Sequence, residues 1–300
     1  MIVVYVYIGT LPEYIVENIN QTRLYYSGKI VLVTNDVHSE YIEKIKSKDI
    51  ELLPYSYFMD NKFIETVNKK IDKFCIVEKL GDRKLLFIRS FERFFILKKV
   101  MEYFQYTDVL FLELDMLIYF NPEDYKEYFS QKEIAFTFTD NKYICTAICY
   151  IKSVKILEEL TSYFLNFIQT STGFISEMTA LGDWCLEPGQ ESKILYLPGL
   201  WKDDRYSKEI WENYSPPIGL FDSMGFGVEI DGPDTPHRAE WEAKGRKWWA
   251  TQVHYYDYTI IEKIVNDRRE FFIVNGQDEI KVECIHMHSK NVKRIVGYTI

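Results

Sequence analysis

The chain has 300 residues, 47% hydrophobic and 27% charged, which excludes wholesale disorder and accommodates one large or two closely packed domains. Its 36 basic and 45 acidic residues leave a net charge of −9, which argues against duplex DNA or an anionic membrane as the main partner, since both require a basic footprint. An anionic small molecule held by a metal ion and a few lysines stays open, and the 16% aromatic content can supply both core and ring platforms.

In chain order, MIVVYVYIG reads as a buried strand closed by Gly9 and Pro12, without the basic n-region or cleavage site of a signal peptide. Residues 12–26 place Ile15, Ile19 and Leu24 at near-helical spacing before Gly28. KIVLVTND (29–36) is a second buried strand, followed by a short helix over 39–48 and a strand at 50–53 that Pro54 ends. SFERFFILKKVMEYF (90–104) is the clearest helix, with Ser90 as its cap and Phe94, Leu97 and Met101 along one face. DVLFLELDMLIYF (108–120) then reads as one long apolar strand with two acids embedded in it. This alternation predicts a parallel α/β sheet with right-handed crossovers. Further on, EIAFTFTD and YICTAICYI are strands, 153–170 and 176–187 are helices, and 194–197 is a strand. Residues 201–256 are rich in Gly, Pro, Trp and Asp with weak periodicity, the pattern of a lid or substrate loop. Asn275-Gly276 between EFFIV and EIKVECIHMH signals a hairpin.

The acids at 113 and 115 carry the most information. Residues i and i+2 of a strand share a face, so both carboxylates point one way, and charge on a buried strand is costly unless compensated. Mn²⁺ or Mg²⁺ compensates it well, bridging carboxylates to a substrate's phosphates, and ligands of open α/β sheets gather at strand carboxyl ends. Two acids solvated or paired with Lys or Arg fit the same spacing. On the predicted last strand, His286 and His288 alternate beside Lys290, so an imidazole can complete a metal site and the lysine can neutralise a diphosphate. Ser176 and Glu177 begin a helix. That places a carboxylate to take a proton from a hydroxyl, or simply to complement the helix dipole, and Asp183 is the second candidate.

FLELDMLIYF resembles the acidic motif of GT-A-fold, metal-dependent nucleotide-sugar glycosyltransferases, with Glu113 where that motif has its first Asp. SFERFF resembles the arginine-bearing segment before that motif, Ser176-Glu177-Met178-Thr179 resembles an Asp-Met-Thr segment of bacterial and phage enzymes, and CIHMHSK is a looser form of their terminal His/Lys segment. The resemblance implies a GT-A-like, Rossmann-like α/β fold with a mixed, mainly parallel sheet flanked by helices. A C-terminal hairpin and an irregular acceptor-side elaboration complete it. It implies one catalytic domain over 1–300, with 1–130 binding the nucleotide sugar and 131–300 holding the acceptor side and completing the metal site. Glu113, Asp115, His286 and His288 are its metal candidates, with Asp115 the direct ligand and His286 preferred of the two histidines. Ile8, Gly9, Thr10, Asp36, Arg93, Glu113 and Lys290 are its donor-binding candidates, and Glu177 and Asp183 its catalytic ones. The donor it implies is a UDP-sugar, with Mn²⁺ or Mg²⁺ as cofactor and a glycan hydroxyl as acceptor. FDSMGFGVEIDGPD (221–234) resembles a segment that shapes the acceptor side, with Asp222 and Asp231 as polar contacts and Trp241, Trp248 and Trp249 able to stack on sugars.

Phosphate-loop, Gly-x-Gly-x-x-Gly, Gly-x-Ser-x-Gly and His-Glu-x-x-His patterns are absent from the sequence, which removes the best support for ATPase, dehydrogenase, serine-hydrolase and zinc-hydrolase readings. A nucleotidyltransferase or metal phosphohydrolase using the same carboxylates is the alternative enzyme, and a glycan-binding protein with a degenerate site the non-enzymatic one. Five cysteines without a Cys-x-x-Cys point to a reducing compartment, the cytoplasm, and no stretch approaches the roughly 18 apolar residues of a membrane span. Nucleic acid is not an expected partner.

Overall fold

The computed structural model describes residues 1–74, 84–140, 143–201, 207–223, 225–233 and 258–298. Strand β1 (Ile2–Tyr7) consists of Ile, Val and Tyr alone, residue types that suit a pleated surface buried on both sides. Helix α1 (Ile15–Tyr25) returns the chain to β2 (Ile30–Thr34), which is buried at every position. Then come α2 (Glu40–Ile45), capped by the Ser39 hydroxyl, β3 (Ile50–Pro54), α3 (Asn61–Asn68), capped by Asp60, the long α4 (Lys84–Phe104) and β4 (Val109–Leu112).

Alternate residues of β1 and β4 feed two cores. Val4, Val109 and Phe111 pack with the apolar side of α4, while Val3, Tyr5, Leu110 and Leu112 pack with Ile15 and Ile19 of α1. Strand β1 runs parallel to β2 on one side and to β4 on the other, and β2 parallel to β3. The strand order therefore turns about between β1 and β4, and in open α/β sheets it is at such a point, beyond the strands' carboxyl ends, that ligands gather.

After β5 (Met116–Ile118) and the short α5 (Lys126–Phe129), β6 (Ile134–Asp140), β7 (Tyr143–Ile151), α6 (Val154–Thr170), α7 (Glu177–Cys185) and β8 (Ile194–Leu197) extend the sheet to the order β3-β2-β1-β4-β7-β6-β8. Strand β7 is antiparallel to β4 and β6, and β8 parallel to β6. The expected mixed, mainly parallel sheet between helices is present. Among the described residues no helix is long and apolar enough to cross a membrane.

Three local expectations are corrected. Ser90 does not cap a helix: α4 is already helical at Lys84, and the Ser90 hydroxyl donates to the Leu86 carbonyl at 3.0 Å inside it. The 108–120 run is two strands, because the chain leaves the seven-stranded sheet at Glu113 and enters a second sheet at Met116. Between them the Met116 N–H closes a turn on the Glu113 carbonyl at 3.0 Å. Two acids and one leucine cannot stay in a dry ladder, and this turn lifts them out of it. Thirdly, strand β12 ends at His286, so His288 lies beyond the pairing that was to place both histidines on one face.

The described parts of 201–256 include β9 (Leu220–Phe221) and α8 (Phe226–Asp231), whereas Trp241, Trp248 and Trp249 lie outside the described residues. The second sheet has the order β10-β11-β12-β5, with β9 also on β12. Its strands are β10 (Thr259–Val265), β11 (Arg268–Asn275) and β12 (Asp278–His286). The hairpin expected at Asn275-Gly276 joins β11 to β12, with Gly276 at φ +63°. A hairpin not read from the sequence joins β10 to β11 through Asn266 and Asp267, at φ +49° and +61°, values that short polar residues tolerate best.

Candidate metal centre

Strand pairing assembles the site. β5 pairs antiparallel with β12, setting His286 opposite Met116, and the Met287 N–H donates to the Asp115 carbonyl at 2.9 Å. The tail and the acidic turn are thus joined by backbone before any side chain is considered. On the other side of the turn, Asn18 of α1 donates from its amide to the Leu114 and Met116 carbonyls, both at 2.8 Å, and Gln21 donates to Ile118. That explains why α1 buries Asn18 and Gln21: they satisfy carbonyls of a strand that has left its neighbours, while the buried Thr22 hydroxyl bonds that of Tyr5 at 2.6 Å.

Four side chains converge here. The His286 Nε2 lies 3.3 Å from Asp115 Oδ2 and 3.6 Å from Glu113 Oε2. A short turn, closed by the Lys290 N–H on the Met287 carbonyl at 2.9 Å with Lys290 at φ +63°, brings the Lys290 ammonium onto Asp115 Oδ2. The ligating atoms of Glu113, Asp115 and His286 all lie within 4.8 Å of one another. Opposed ligands of Mg²⁺ stand about 4.2 Å apart, so two carboxylates and an imidazole at this separation fit one divalent cation after a small adjustment. His288 is not in that group; its ring sits 4.1 Å from that of His286, centroid to centroid.

The charges are strongly coupled. Burial alone would raise the Asp115 carboxyl, but Lys290 and His286 outweigh it and hold the group well below the usual carboxylate range. Burial would likewise strip the proton from His286, and Asp115 outweighs it, so the imidazole holds its proton well above the usual range. Tyr14 and Tyr7, which the sequence reading missed, also face this charge. Burial raises both phenols, with Asp115 pushing the same way in each and Lys290 opposing it at Tyr7. Their only sequence signal was position, at the end of β1 and just before α1.

Glu113 is paired with an arginine, one of the alternatives its spacing allowed: Arg93 takes its Oε1. The buried Arg93 guanidinium also donates to Thr146 Oγ1 at 2.7 Å and to Glu177 Oε1 at 3.1 Å, so one cation joins the acidic turn to the start of α7. Ser176 caps α7 on the Thr179 N–H, and Glu177 is turned inward. Burial raises the Glu177 carboxyl to about 7; Arg93 opposes the shift and Glu113 adds to it. Asp183 is not brought to this cluster: six residues further along α7 it is exposed, and its charge acts on Tyr163 of α6.

At the neighbouring strand ends, the Gly9 N–H donates to Asn35 Oδ1 at 2.7 Å and the Leu11 N–H to Asp36 Oδ2 at 2.9 Å. Gly9 has φ +147°, open to glycine and strained for other residues, and Ile8 and Thr10 flank it just beyond the end of β1. Asp36 thus ties the loop after β1 to the end of β2. Asp222 and Asp231 were expected as acceptor-side contacts, and burial removes Asp222 from that role. Asp222 is fully buried and binds backbone amides, including that of His286, and Asp231 pairs with Arg294.

No protein-family profile matches the sequence, and no curated protein matches it. Among solved structures, the apo form of mouse xyloside xylosyltransferase 1 is similar over 66% of this chain and 85% of its own, at 10% identity and a TM-score of 0.48. The glycosyltransferase GlyE of Streptococcus pneumoniae is similar over 86% of this chain and 66% of its own, at 13% identity and 0.46. A cytidylyltransferase of Leptospira borgpetersenii is similar over 68% of this chain and 78% of its own, at 11% identity and 0.38. At such scores the likenesses assign no activity.

Proposed function

We propose that the protein is a metal-dependent glycosyltransferase of GT-A type, which moves a sugar from a nucleotide diphosphate sugar, a UDP-sugar, to a hydroxyl of a glycan or glycoconjugate. One observation carries this reading: two carboxylates and an imidazole converge beside a lysine, at the carboxyl end of β4, where the strand order turns about. Residues 1–300 would work as one catalytic unit, since the acids come from 1–130 and His286 and Lys290 from 131–300.

Asp115 and His286, with Glu113, would hold Mn²⁺ or Mg²⁺, which when bound supplies a Lewis acid for the departing diphosphate. Lys290, now on Asp115, is placed to turn its ammonium to a phosphate oxygen, a charge-assisted contact that strengthens as the leaving group gains charge. Ile8, Gly9, Thr10 and Asp36 would border the nucleoside. Arg93 would hold Glu113 and Glu177 together, one cation between two carboxylates. Glu177, raised toward neutral pH by burial and joined to the acids through Arg93, would take the proton of an attacking hydroxyl in preference to Asp183.

The test is a panel of nucleotide sugars with Mn²⁺, Mg²⁺ or a chelator, scored for thermal stabilisation and for donor turnover. The reading expects one donor to stabilise the protein only with metal and to release a nucleoside diphosphate. Release of pyrophosphate or inorganic phosphate would move the assignment to nucleotidyl transfer or phosphohydrolysis. No stabilisation and no turnover with any donor, together with an inert Asp115→Ala substitution, would leave only a glycan-binding protein.

A further inference from the structure

The buried carboxylate of Asp222 lies outside the cluster of charges and, among the described residues, has no side-chain cation on it. Its Oδ1 accepts from the Gly225 and Phe226 N–H groups at 2.6 and 3.0 Å. Its Oδ2 accepts from the Gly227 N–H at 2.9 Å and, 64 positions along the chain, from the His286 N–H at 2.9 Å. Three of the four donors open α8, and the fourth belongs to the residue whose imidazole meets the acids. Four N–H groups match the four acceptor directions of one carboxylate, so the group is satisfied although wholly enclosed.

Gly227 makes the same point from the other side. A Cβ there would lie 2.0 Å from the His286 carbonyl oxygen and 2.7 Å from its carbon, so the start of α8 is pressed onto the His286 peptide. The next peptide is fixed by the Met287 N–H on the Asp115 carbonyl, and the ring's Nδ1 stands 3.9 Å from Cys145 Sγ. The His286 backbone is therefore held between the acidic turn and the first turn of α8, and the direction of its side chain follows.

We propose that Asp222 is a positioning residue of this centre: through the His286 backbone it sets where the imidazole meets Asp115 and Glu113. The proposal rests on the metal reading above for its consequence, and on geometry alone for its cause. Asparagine at 222 has one carbonyl oxygen and an amide that donates, so it can hold the opening of α8 or His286 but not both. Alanine holds neither.

The experiment measures Mn²⁺ binding by electron paramagnetic resonance and records the histidine ring ¹⁵N–¹H spectrum without metal. Asp222→Asn and Asp222→Ala should each weaken Mn²⁺ binding by roughly 10- to 100-fold, the usual cost of losing a group that orients a metal ligand. Both should move the His286 ring signals. In a His286→Ala background Asp222→Asn should cost nothing further, whereas a general structural role would cost the same in both backgrounds. Asp60→Ala, which loses a backbone contact at the start of α3, should change neither reading. Should Asp222→Ala fail to fold, Asp222→Asn carries the test. An additive loss in the double variant, or unchanged ring signals in Asp222→Asn, overturns the proposal. Wild-type protein that binds no Mn²⁺ would instead overturn the metal reading, and the ring spectra would still decide the positioning.

Discussion

The turn between β4 and β5 and the turn between β9 and α8 each bury an aspartate, and they satisfy it in opposite ways. Asp115 is held by side-chain cations, Lys290 and His286, whereas Asp222 is held by four backbone amides. Backbone donors cannot leave without unfolding their helix, but an ammonium on a four-carbon stem can swing away and yield its place to another cation. The contrast separates an exchangeable acid from a fixed one, although both are buried. It also explains why their titrations diverge: burial raises the Asp222 carboxyl despite its amides, while cations drive that of Asp115 down.

Removing the exchangeable acid should have the largest effect. Asp115→Ala is expected to lower metal-dependent turnover on the order of 1,000-fold, read as nucleoside diphosphate released per minute. Turnover near the wild-type rate would erase the distinction between the two turns. Next comes Arg93→Met, which leaves Glu113 and Glu177 facing each other with no cation between them. Unfolding in urea should show a loss of about 3–5 kcal/mol, and a loss under about 1 kcal/mol would show that Arg93 is not the link between turn and helix.

A smaller effect separates Glu177 from its neighbours by pH. Its folded carboxyl lies near 7 against an ordinary value of 4.5, so between these the unfolded chain has released a proton that the folded one keeps. Its contribution to stability is full below about pH 4.5 and is lost as pH rises through about 7, a change of up to about 3 kcal/mol. Glu177→Gln should flatten that part of the stability profile, and an unchanged slope would mean that the carboxyl titrates normally. The smallest effect belongs to Asp183→Asn, which should alter turnover by no more than about twofold because the group is exposed and away from the cluster. A large loss there would move the proton acceptor from Glu177 to Asp183.

Much of this molecule was legible in its periodicity. The strands at 2–7, 30–34 and 50–54 and the helices between them announced themselves, because burial on one or both faces leaves a repeating mark within a single segment. The two acids were legible as well, since charge inside an apolar run is conspicuous. The break that makes them a turn was not, because an apolar run reads the same whether it continues in one sheet or passes into a second. The role of Asp222 was hidden for a different reason: an aspartate three residues before a glycine looks like an ordinary turn former, and only its fourth partner, His286, shows what it braces.

By itself, then, the amino-acid order determined the α/β alternation, the terminal hairpin and the residue types able to meet a cation. Tertiary structure alone decided that Asp115 and Lys290, 175 positions apart, share a contact, that Arg93 spans Glu113 and Glu177, and that His286 joins the acids while His288 stands outside the group. Those choices depend on which strand edge pairs with which. That pairing is settled by the summed burial of whole faces and leaves no local trace in either partner.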